Sequence, residues 1–305
     1  MMLGLVTADV AAPLDPDLSP FDAACRARLG DDAVRIVSWD DPEVEWSAFD
    51  AVVIRSTWDY TERLDEFLDW VDRVSNVTEL INGAAAVRWS TDKRYLAELA
   101  TEGIPIVPTT FVAPGEPAPV VDRLHVVKPT VGAGSSGARR CEPDEVAAHV
   151  AELHAQGRTA MVQPYLDRLD ELGESAFCFV PAAAGDGLEL SHVFRKGAIL
   201  TTTDVEQEGD LFAKEDITVR EPDERERALA DAVLETRAVQ QFDRIAFARV
   251  DVAPASDPTA DEPFVVMELE LIEPSFYLGL NVGSADLFAN RLIAWMRRHR
   301  IGVAS

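Results

Sequence analysis

Apolar and polar positions alternate along the chain with two different periods, and the change of period marks out its elements. Leu3-Gly4-Leu5-Val6-Thr7 forms a short apolar run expected to be a strand. Ser19-Pro20 then offers an N-cap and a first-turn proline for a helix ending near Gly30. Strands are predicted at residues 33–37 and 51–54. Leu64, Phe67, Leu68 and Val71 give one apolar face to a helix over about 62–74. Strands and helices in alternation predict a small parallel sheet. The strand at 51–54 runs into Arg55-Ser56-Thr57-Trp58-Asp59-Tyr60, and functional groups collect at the carboxyl ends of parallel strands. Arg55, Ser56, Trp58 and Tyr60 are therefore candidate substrate contacts. A bidentate Arg55 would grip a carboxylate while the rings wall a pocket. The plainer reading makes Trp58 and Tyr60 caps on the core.

From Thr91 the pattern changes. Asp92 is expected to cap a helix running to Gly103, and Ile104-Pro105-Ile106-Val107-Pro108-Thr109 follows. Strands at 110–112 and 125–127 lead into Lys128-Pro129-Thr130-Val131-Gly132-Ala133-Gly134-Ser135-Ser136-Gly137. An apolar strand that delivers a lysine to a Gly/Ser loop suits a polyphosphate. The ammonium supplies fixed charge, and glycines let backbone N–H groups approach phosphate oxygens. The loop also spells G-x-G-x-x-G, but the dinucleotide fingerprint needs a helix starting there, and Ala138-Arg139-Arg140-Cys141 resembles a return strand. In a Walker A loop the lysine follows the glycines, whereas Lys128 precedes them. A hairpin folded over phosphates fits best, with a bare surface hairpin as the plainer alternative.

A helix over about 144–155 precedes Met161-Val162-Gln163-Pro164-Tyr165-Leu166, a strand that becomes a connector suited to an adenine edge. Strands at 175–180 and 188–194 then reach Arg195-Lys196-Gly197. Residues 203–216 are polar and acidic and expected to be mobile, and one long helix is predicted over about 222–242. Strands at 245–252 and 264–272 flank a Pro/Asp-rich loop, and Ser284 caps a last helix to about 300. On those two strands Arg249 and Asp251 share a face at i and i+2, as do Glu268 and Glu270. Adjacent carboxylates repel unless a cation lies between them, and Mg²⁺ bridging to nucleotide phosphates is a usual one. The plainer reading is a solvated strand face. It is opposed by the apolar neighbours Val265, Val266, Met267, Leu269, Leu271 and Ile272.

Composition narrows the setting. The formal net charge of -26 opposes nucleic-acid binding and is read as a solvated surface. Residues 1–10 have no basic start, Asp9 interrupts their apolar run, and no stretch approaches a membrane span. With three scattered cysteines, the expectation is a cytoplasmic chain without membrane contact or disulfides. Only Lys93, Lys128, Lys196 and Lys214 are lysines among 28 basic residues, which suggests positions where a compact ammonium is needed.

With these pieces in order, the chain resembles the ATP-grasp superfamily over about residues 85–300, particularly its glutathione synthetase-like and D-alanine ligase-like branches. Asp92-Lys93 is similar to the family's first ATP lysine, Lys128-Pro129 to its second, and Gln163-Pro164-Tyr165-Leu166 to its adenine hinge. Arg249-Val250-Asp251 resembles its Arg-x-Asp strand, and Glu268-Leu269-Glu270 with Pro274 its metal-binding Glu-x-Asn. The nearest pattern is that of cyclo-ligases of D-cycloserine biosynthesis, on Arg55 to Tyr60, Gly173-Glu174-x-Ala, Ser191 to Lys196, and Glu268 to Pro274.

The resemblance implies an α/β fold with a Rossmann-like pre-ATP-grasp lobe (1–85), a central ATP-grasp subdomain bearing the glycine-rich flap (86–165) and a C-terminal ATP-grasp subdomain (166–305). ATP and Mg²⁺ are the implied cofactors. Lys93, Lys128, Gly134, Ser135, Ser136, Gln163, Tyr165, Leu166 and Glu174 would contact the nucleotide. Asp251, Glu268 and Glu270 would hold the metal. Arg249, with Arg195 and Lys196, would stabilise phosphoryl charge and the tetrahedral intermediate. The chain departs from the family at Glu270, where Asn is usual, and in lacking the acidic-x-Arg after the hinge, which leaves Asp167 in competition with Glu174 for the ribose. Glu273 is left between a site role and a pairing with a nearby arginine.

The implied reaction activates a small carboxylate as an acylphosphate and joins it to an amine, within one molecule or between two, releasing ADP and phosphate. Its partners would be small molecules, and a homodimer is left open. Two rivals stand beside it: a phosphotransferase on the same fold, and a catalytically silent nucleotide-binding protein. The latter is disfavoured because the lysines, Arg249 and all three carboxylates are present.

Overall fold

The structure is a computed structural model that describes residues 1–198, 207–208, 212–213, 216–257, 259 and 262–302. Strands β1 (Leu3–Thr7), β2 (Val34–Ser38), β3 (Ala51–Ser56) and β4 (Glu79–Ile81) form a parallel sheet in the order β2-β1-β3-β4. Helix α1 (Leu18–Leu29) connects β1 to β2, and α2 (Leu64–Ser75) connects β3 to β4. β3 is buried along its whole length, as expected of a parallel strand covered on both faces. α2 buries Phe67, Trp70, Val71 and Val74, so its inner face is turned slightly from the predicted one, and Leu64 and Leu68 lie at its margin. The helix expected from Asp92 is preceded by another. α3 (Ala84–Ser90) ends before it, and the Asp92 carboxylate accepts from the Arg94 N–H just ahead of α4 (Tyr95–Thr101).

A second sheet, antiparallel, contains β5 (Thr110–Val112), β6 (His125–Pro129), β7 (Arg139–Cys141) and β8 (Ala160–Pro164) in the order β5-β8-β6-β7. Helix α5 (Val146–Ala155) closes a small core with it through Val146, Val150 and Leu153. β6 and β7 pair across the glycine loop, so the loop returns as a strand and opens no helix. That excludes the dinucleotide fingerprint.

After the short α6 (Leu169–Leu172), strands β9 (Glu174–Pro181) and β10 (Leu188–Lys196) begin the third sheet. A two-stranded pair, β11 (Gln207–Glu208) and β12 (Phe212–Ala213), precedes β13 (Ile217–Val219). Most of the stretch 203–216, expected to be mobile, lies outside the described residues. The predicted long helix is divided into α7 (Glu224–Glu235) and α8 (Arg237–Gln240), because Thr236 is extended at φ -63, ψ 151. Asp223 and Glu226 form a reciprocal capping box that fixes where α7 starts. β14 (Ala248–Pro254) and β15 (Phe264–Glu270) complete an antiparallel sheet in the order β13-β10-β9-β14-β15, followed by α9 (Ser284–Arg298). Among the described residues, no helix is long and apolar enough to cross a membrane.

One apolar cluster joins the first sheet to the third. Leu3, Leu5, Phe21 and Val53 pack with Ala176, Phe194, Phe247, Phe276 and Phe288, and Phe21 stacks on Phe288 with centroids 4.6 Å apart. Asp17, just ahead of α1, adds a polar joint. Its Oδ2 accepts the N–H groups of Phe276 at 2.6 Å and Tyr277 at 2.9 Å, and its Oδ1 that of Leu278.

This joint corrects the expectation for Arg55. β3 extends two residues past its predicted end, and strand alternation turns Arg55 onto the Val53 face, toward α1. Its guanidinium is fully buried, 3.7 Å from Asp17 and 5.5 Å from the Phe21 ring centroid, and donates to the Pro274 carbonyl at 3.3 Å. Ser56 is buried as well, its Oγ 2.8 Å from Thr7 Oγ1. Neither residue is a substrate contact in this arrangement.

Asp17→Ala would strip Arg55 of its counter-ion and leave three backbone donors without an acceptor. We expect a loss of about 3–5 kcal/mol in stability, measured by chemical denaturation. A loss below about 1 kcal/mol, the range of an exposed pair, would show the joint to be idle.

Candidate active site

A cavity of ≈ 560 Å³ opens where the three sheets meet. The third sheet supplies its charged floor through register. Arg249 on β14 stands opposite Glu270 on β15, and Asp251 opposite Glu268. The i, i+2 spacing on each strand then sends all four side chains to one face. Glu174, which opens β9, is paired with Lys196, which ends β10. The same face is covered at its other end by the apolar cluster, through Ala176, Cys178 and Phe194.

The side chains are bonded into a network. Arg249 donates through Nε and Nη2 to both oxygens of Asp251 at 2.8 and 2.9 Å, through Nη2 also to Glu270, and through Nη1 to the Ser275 carbonyl at 3.0 Å. Lys196 donates to Asp251 at 2.7 Å and is paired with Glu174. Lys93, in the turn between α3 and α4, lies 2.9 Å from Glu268 and donates to the Gly132 carbonyl at 2.7 Å. The Lys93 N–H also bonds the Thr130 carbonyl, which ties this turn to the exit of β6. Lys93, Lys128 and Lys196, three of the four lysines, line the cavity.

Asp251, Glu268 and Glu270 each present an oxygen, and these lie within 4.8 Å of one another. Their environments differ. For Asp251, burial is outweighed by Arg249 and Lys196, which hold it down at about 2. For Glu268, burial is outweighed by Lys93 and Lys128, and its carboxyl falls below the ordinary value. Glu270 is pushed up to about 7 by burial together with Glu268 and Asp251, against the pull of Arg249. Burial thus leaves Glu270 the least stabilised of the three carboxylates. Three hard oxygens are a set that a divalent cation of the Mg²⁺ class fits. Burial lowers the Lys128 ammonium, which a polyanion would restore.

Most of the sequence-derived set lines this cavity: Lys93, Lys128, Gly134, Ser135, Ser136, Gln163, Tyr165, Leu166, Glu174, Lys196, Arg249, Glu268, Glu270, Trp58 and Tyr60. Gly134 and Ser135 both have positive φ, 55° and 62°, so the loop turns through left-handed backbone. Gln163 is fixed by Thr109 at 2.8 Å, and Tyr165 donates to Asp170 while Arg140 covers its ring at 4.2 Å. Asp167 is exposed and outside the lining, so the structure favours Glu174 over it. Tyr60 is both lining and core, stacked on Phe67 at 4.6 Å.

Arg195 requires correction. It lies one residue before Lys196 on β10, and alternation sends it to the other face. There it donates to the carbonyls of Leu172 at 2.7 Å and Glu171 at 3.2 Å, holding the end of α6. Sequence reasoning also missed part of the wall, namely Pro13, Leu14, Pro16, Ser275 and Tyr277. The strand-end rule applied to β1 as it was to β3 points to the proline-rich turn. Nothing local points to Ser275 and Tyr277. Glu273 pairs with no arginine among the described residues. It accepts from the Thr57 N–H at 2.9 Å and its hydroxyl at 3.2 Å.

Residues 3–82 match the family model described as D-cycloserine synthetase DcsG, N-terminal domain. The chain is similar to the cycloserine biosynthesis protein DcsG of Streptomyces lavendulae, at 38% identity over 306 residues, covering 95% of this chain and 97% of the relative. Its fold is similar to the crystal structure of D-cycloserine synthetase DcsG, with a TM-score of 0.82 and 37% identity over 96% of this chain and 99% of that one. It is also similar to the ATP-grasp ligase PsnB in complex with a minimal precursor, with a TM-score of 0.58 and 18% identity over 97% and 99% of the two chains. That last likeness bears on the fold alone.

The raised Glu270 carboxyl has a measurable consequence. A carboxyl whose folded pKa is raised favours folding while protonated and costs stability as pH rises above its unfolded value. For Glu270 the cost is complete above about 7. Its side chain keeps 26% of its surface open to the cavity, so water moderates the effect. With EDTA present, Glu270→Gln should stabilise the protein by about 1–2 kcal/mol at pH 8 and by almost nothing near pH 4.5. Thermal unfolding at the two pH values checks this, and a variant no more stable than the parent at pH 8 refutes it.

Proposed function

The chain belongs to the D-cycloserine synthetase DcsG family of ATP-grasp ligases, and we propose from that premise how its cavity works. It is an ATP-dependent ligase that activates a small carboxylate and joins it to an amine, with cyclisation within one molecule among its possible outcomes. The observation that carries the reading is the cross-strand set Arg249–Glu270 and Asp251–Glu268, ringed by three of the four lysines.

ATP is a substrate here. Its adenine is assigned to the pocket of Gln163, Tyr165 and Leu166, its ribose to Glu174, and its phosphates to Lys93, Lys128 and the loop Gly134-Ser135-Ser136. Asp251, Glu268 and Glu270 would hold Mg²⁺, which when bound neutralises charge on the polyphosphate. The substrate carboxylate attacks the γ-phosphorus, the bond to the ADP oxygen breaks, and an acylphosphate results. The amine then adds to the acyl carbon, the C–O bond to phosphate breaks, and the nitrogen loses a proton. Arg249 and Lys196 stabilise charge on the transferred group and on the tetrahedral intermediate. The two are already oriented by Asp251, so little reorganisation accompanies the step. No side chain acts as a covalent nucleophile, and positioning supplies most of the acceleration. The glycine loop over the phosphates shields the acylphosphate from water.

ATP turnover should therefore yield ADP and phosphate and should require both a carboxylate and an amine, on one molecule or two. Product analysis with AMP and pyrophosphate as the main products would refute the acylphosphate route. ADP release that ignores the amine would instead indicate a phosphotransferase.

The sheet faces give a sharper contrast. Lys196→Ala, Asp251→Asn and Glu268→Gln should each lower kcat/KM by about 10²-fold or more. Arg195→Ala should stay within about threefold while losing some thermal stability. Steady-state kinetics on the four variants test this, and equal losses for Arg195→Ala and Lys196→Ala would refute the assignment of the two faces.

A further inference from the structure

The glycine loop is held at its two ends by different means. At the leading end Arg158 donates to the Val131 carbonyl at 2.7 Å, and Lys93 donates to that of Gly132. At the return end Gly137 turns through left-handed backbone at φ 72°, and its carbonyl lies 2.9 Å from Nε2 of His149 on α5. Gly132, Ala133, Gly134, Ser135 and Ser136 line the cavity, whereas His149 does not. The ring is 5% exposed and acts on a bound ligand through the loop.

The second ring nitrogen decides what this contact requires. His149 Nδ1 lies 3.0 Å from Oε2 of Glu152, which also accepts from Arg139 at 3.0 Å. The hydrogen bond from His149, with the charge of Arg139 behind it, holds the Glu152 carboxyl below its ordinary value. Carbonyl and carboxylate oxygens only accept, so the ring bonds both with a hydrogen on each nitrogen. Imidazolium has two such hydrogens and neutral imidazole has one. In the neutral ring the two acceptors compete for it, and the ionised one makes the stronger bond. Nδ1 then keeps the hydrogen, and the Nε2 lone pair is left facing the Gly137 carbonyl. On β7 the buried Cys141 stays a neutral thiol, pushed up to about 11 by burial, and Glu145, one turn earlier on α5, accepts from the Glu142 N–H. Arg158 lies beside Gly137. The charged groups around the ring are thus Glu152 on its own helix, Arg139 on β7 and Arg158 ahead of β8.

We propose that His149 latches the return end of the glycine loop and so positions it over the nucleotide phosphates. The latch is closed while the ring carries two hydrogens. It is released when the ring is neutral, because Glu152 takes the hydrogen that remains. The departing proton leaves to solvent past the half-exposed Glu152 side chain. The proposal rests on the assignment of this loop to ATP phosphates, and adds to it the residue that controls the loop. His149 is a positioning residue.

The test measures affinity for AMPPNP with Mg²⁺ by calorimetry, and hydrogen exchange of the amides of residues 131–138. Both are taken at pH 6 and pH 8.5, which bracket the ordinary imidazole range. Glu152→Gln is the reference. Its amide accepts from imidazolium and donates to the neutral ring, so Nε2 keeps its hydrogen and the latch stays closed at both values. Wild-type protein should match the reference at pH 6. At pH 8.5 it should bind AMPPNP about 3–10-fold more weakly, with faster exchange over the loop. Comparing proteins at one pH cancels the nucleotide's own titration and the intrinsic exchange rate. His149→Phe should be weaker than the reference by the same factor at both values. His149→Gln, which keeps a donor toward Gly137 and takes up no proton, should restore the affinity at both, which a packing role would not do. Equal behaviour of wild-type protein and Glu152→Gln at pH 8.5 overturns the proposal and leaves the ligase reading standing, and this comparison survives if His149→Phe folds poorly. A folded His149→Phe that binds AMPPNP as the reference does also overturns it. Failure of every protein to bind AMPPNP overturns the phosphate assignment, and the exchange comparison then decides the latch by itself.

Discussion

Arg249 grips both oxygens of Asp251 and reaches Glu270 with the same nitrogen, in an interior where an unpaired charge costs several kcal/mol. Everything around the cavity is arranged to make that concentration of charge tolerable. Lys196 shares Asp251, Lys93 shares Glu268, and the Ser275 carbonyl takes a remaining guanidinium N–H. Burial is not fully offset at Glu270, whose carboxyl stays raised. A protein optimised for stability alone would place apolar side chains at these positions. Carboxylates and lysines held side by side make the site receptive to a cation and to a polyanion together.

The parts of this site legible in the sequence are those set by local periodicity. The i, i+2 spacing alone is enough to put Arg249 with Asp251, and Glu268 with Glu270, on common faces. The hairpin nature of the glycine loop follows from the run Ala138 to Cys141, and β7 is that return strand. What spacing cannot give is register. That Asp251 stands opposite Glu268 and not one residue away is decided by a shift in pairing between Asp251 and Val252. A slip of one residue would send one pair of charges to the other face of the sheet.

The errors have a common cause of the same kind. Arg55 and Arg195 each sit within a residue or two of a strand end, where an extended chain and a loop give opposite answers about direction. Both strands run further than their apolar stretches, so parity decides the outcome: Lys196 faces the cavity, while Arg195 and Arg55 do not. The break at Thr236 is hidden for a different reason. Its neighbours keep helical periodicity on both sides, and only its own backbone angles interrupt it. The clasp of Thr57 on Glu273 spans 216 positions and has no local signature at all.

That clasp and the Asp17 joint together explain what the first sheet contributes to a site whose charges all come from elsewhere. Residues 273–278 cross from β15 toward α9 without regular structure, and a free segment of that kind would blur any wall it formed. Thr57 holds its start, Arg55 holds Pro274, and Asp17 holds the N–H groups of Phe276, Tyr277 and Leu278. All three anchors come from the first sheet or the segments beside it. The apolar contacts distribute in the same way. The first and third sheets share one core through Phe21, Phe276 and Phe288, whereas the second sheet with α5 has a small core of its own. Parting the first sheet from the third would expose large aromatic surface and break a buried ion pair. The second sheet meets the third through Met161 and Phe111, and Lys93 bonds Thr130 and Gly132 beside the glycine loop, so the wall that carries Glu273 and the floor that carries Arg249 are fixed to each other by one core and to the loop by separate contacts.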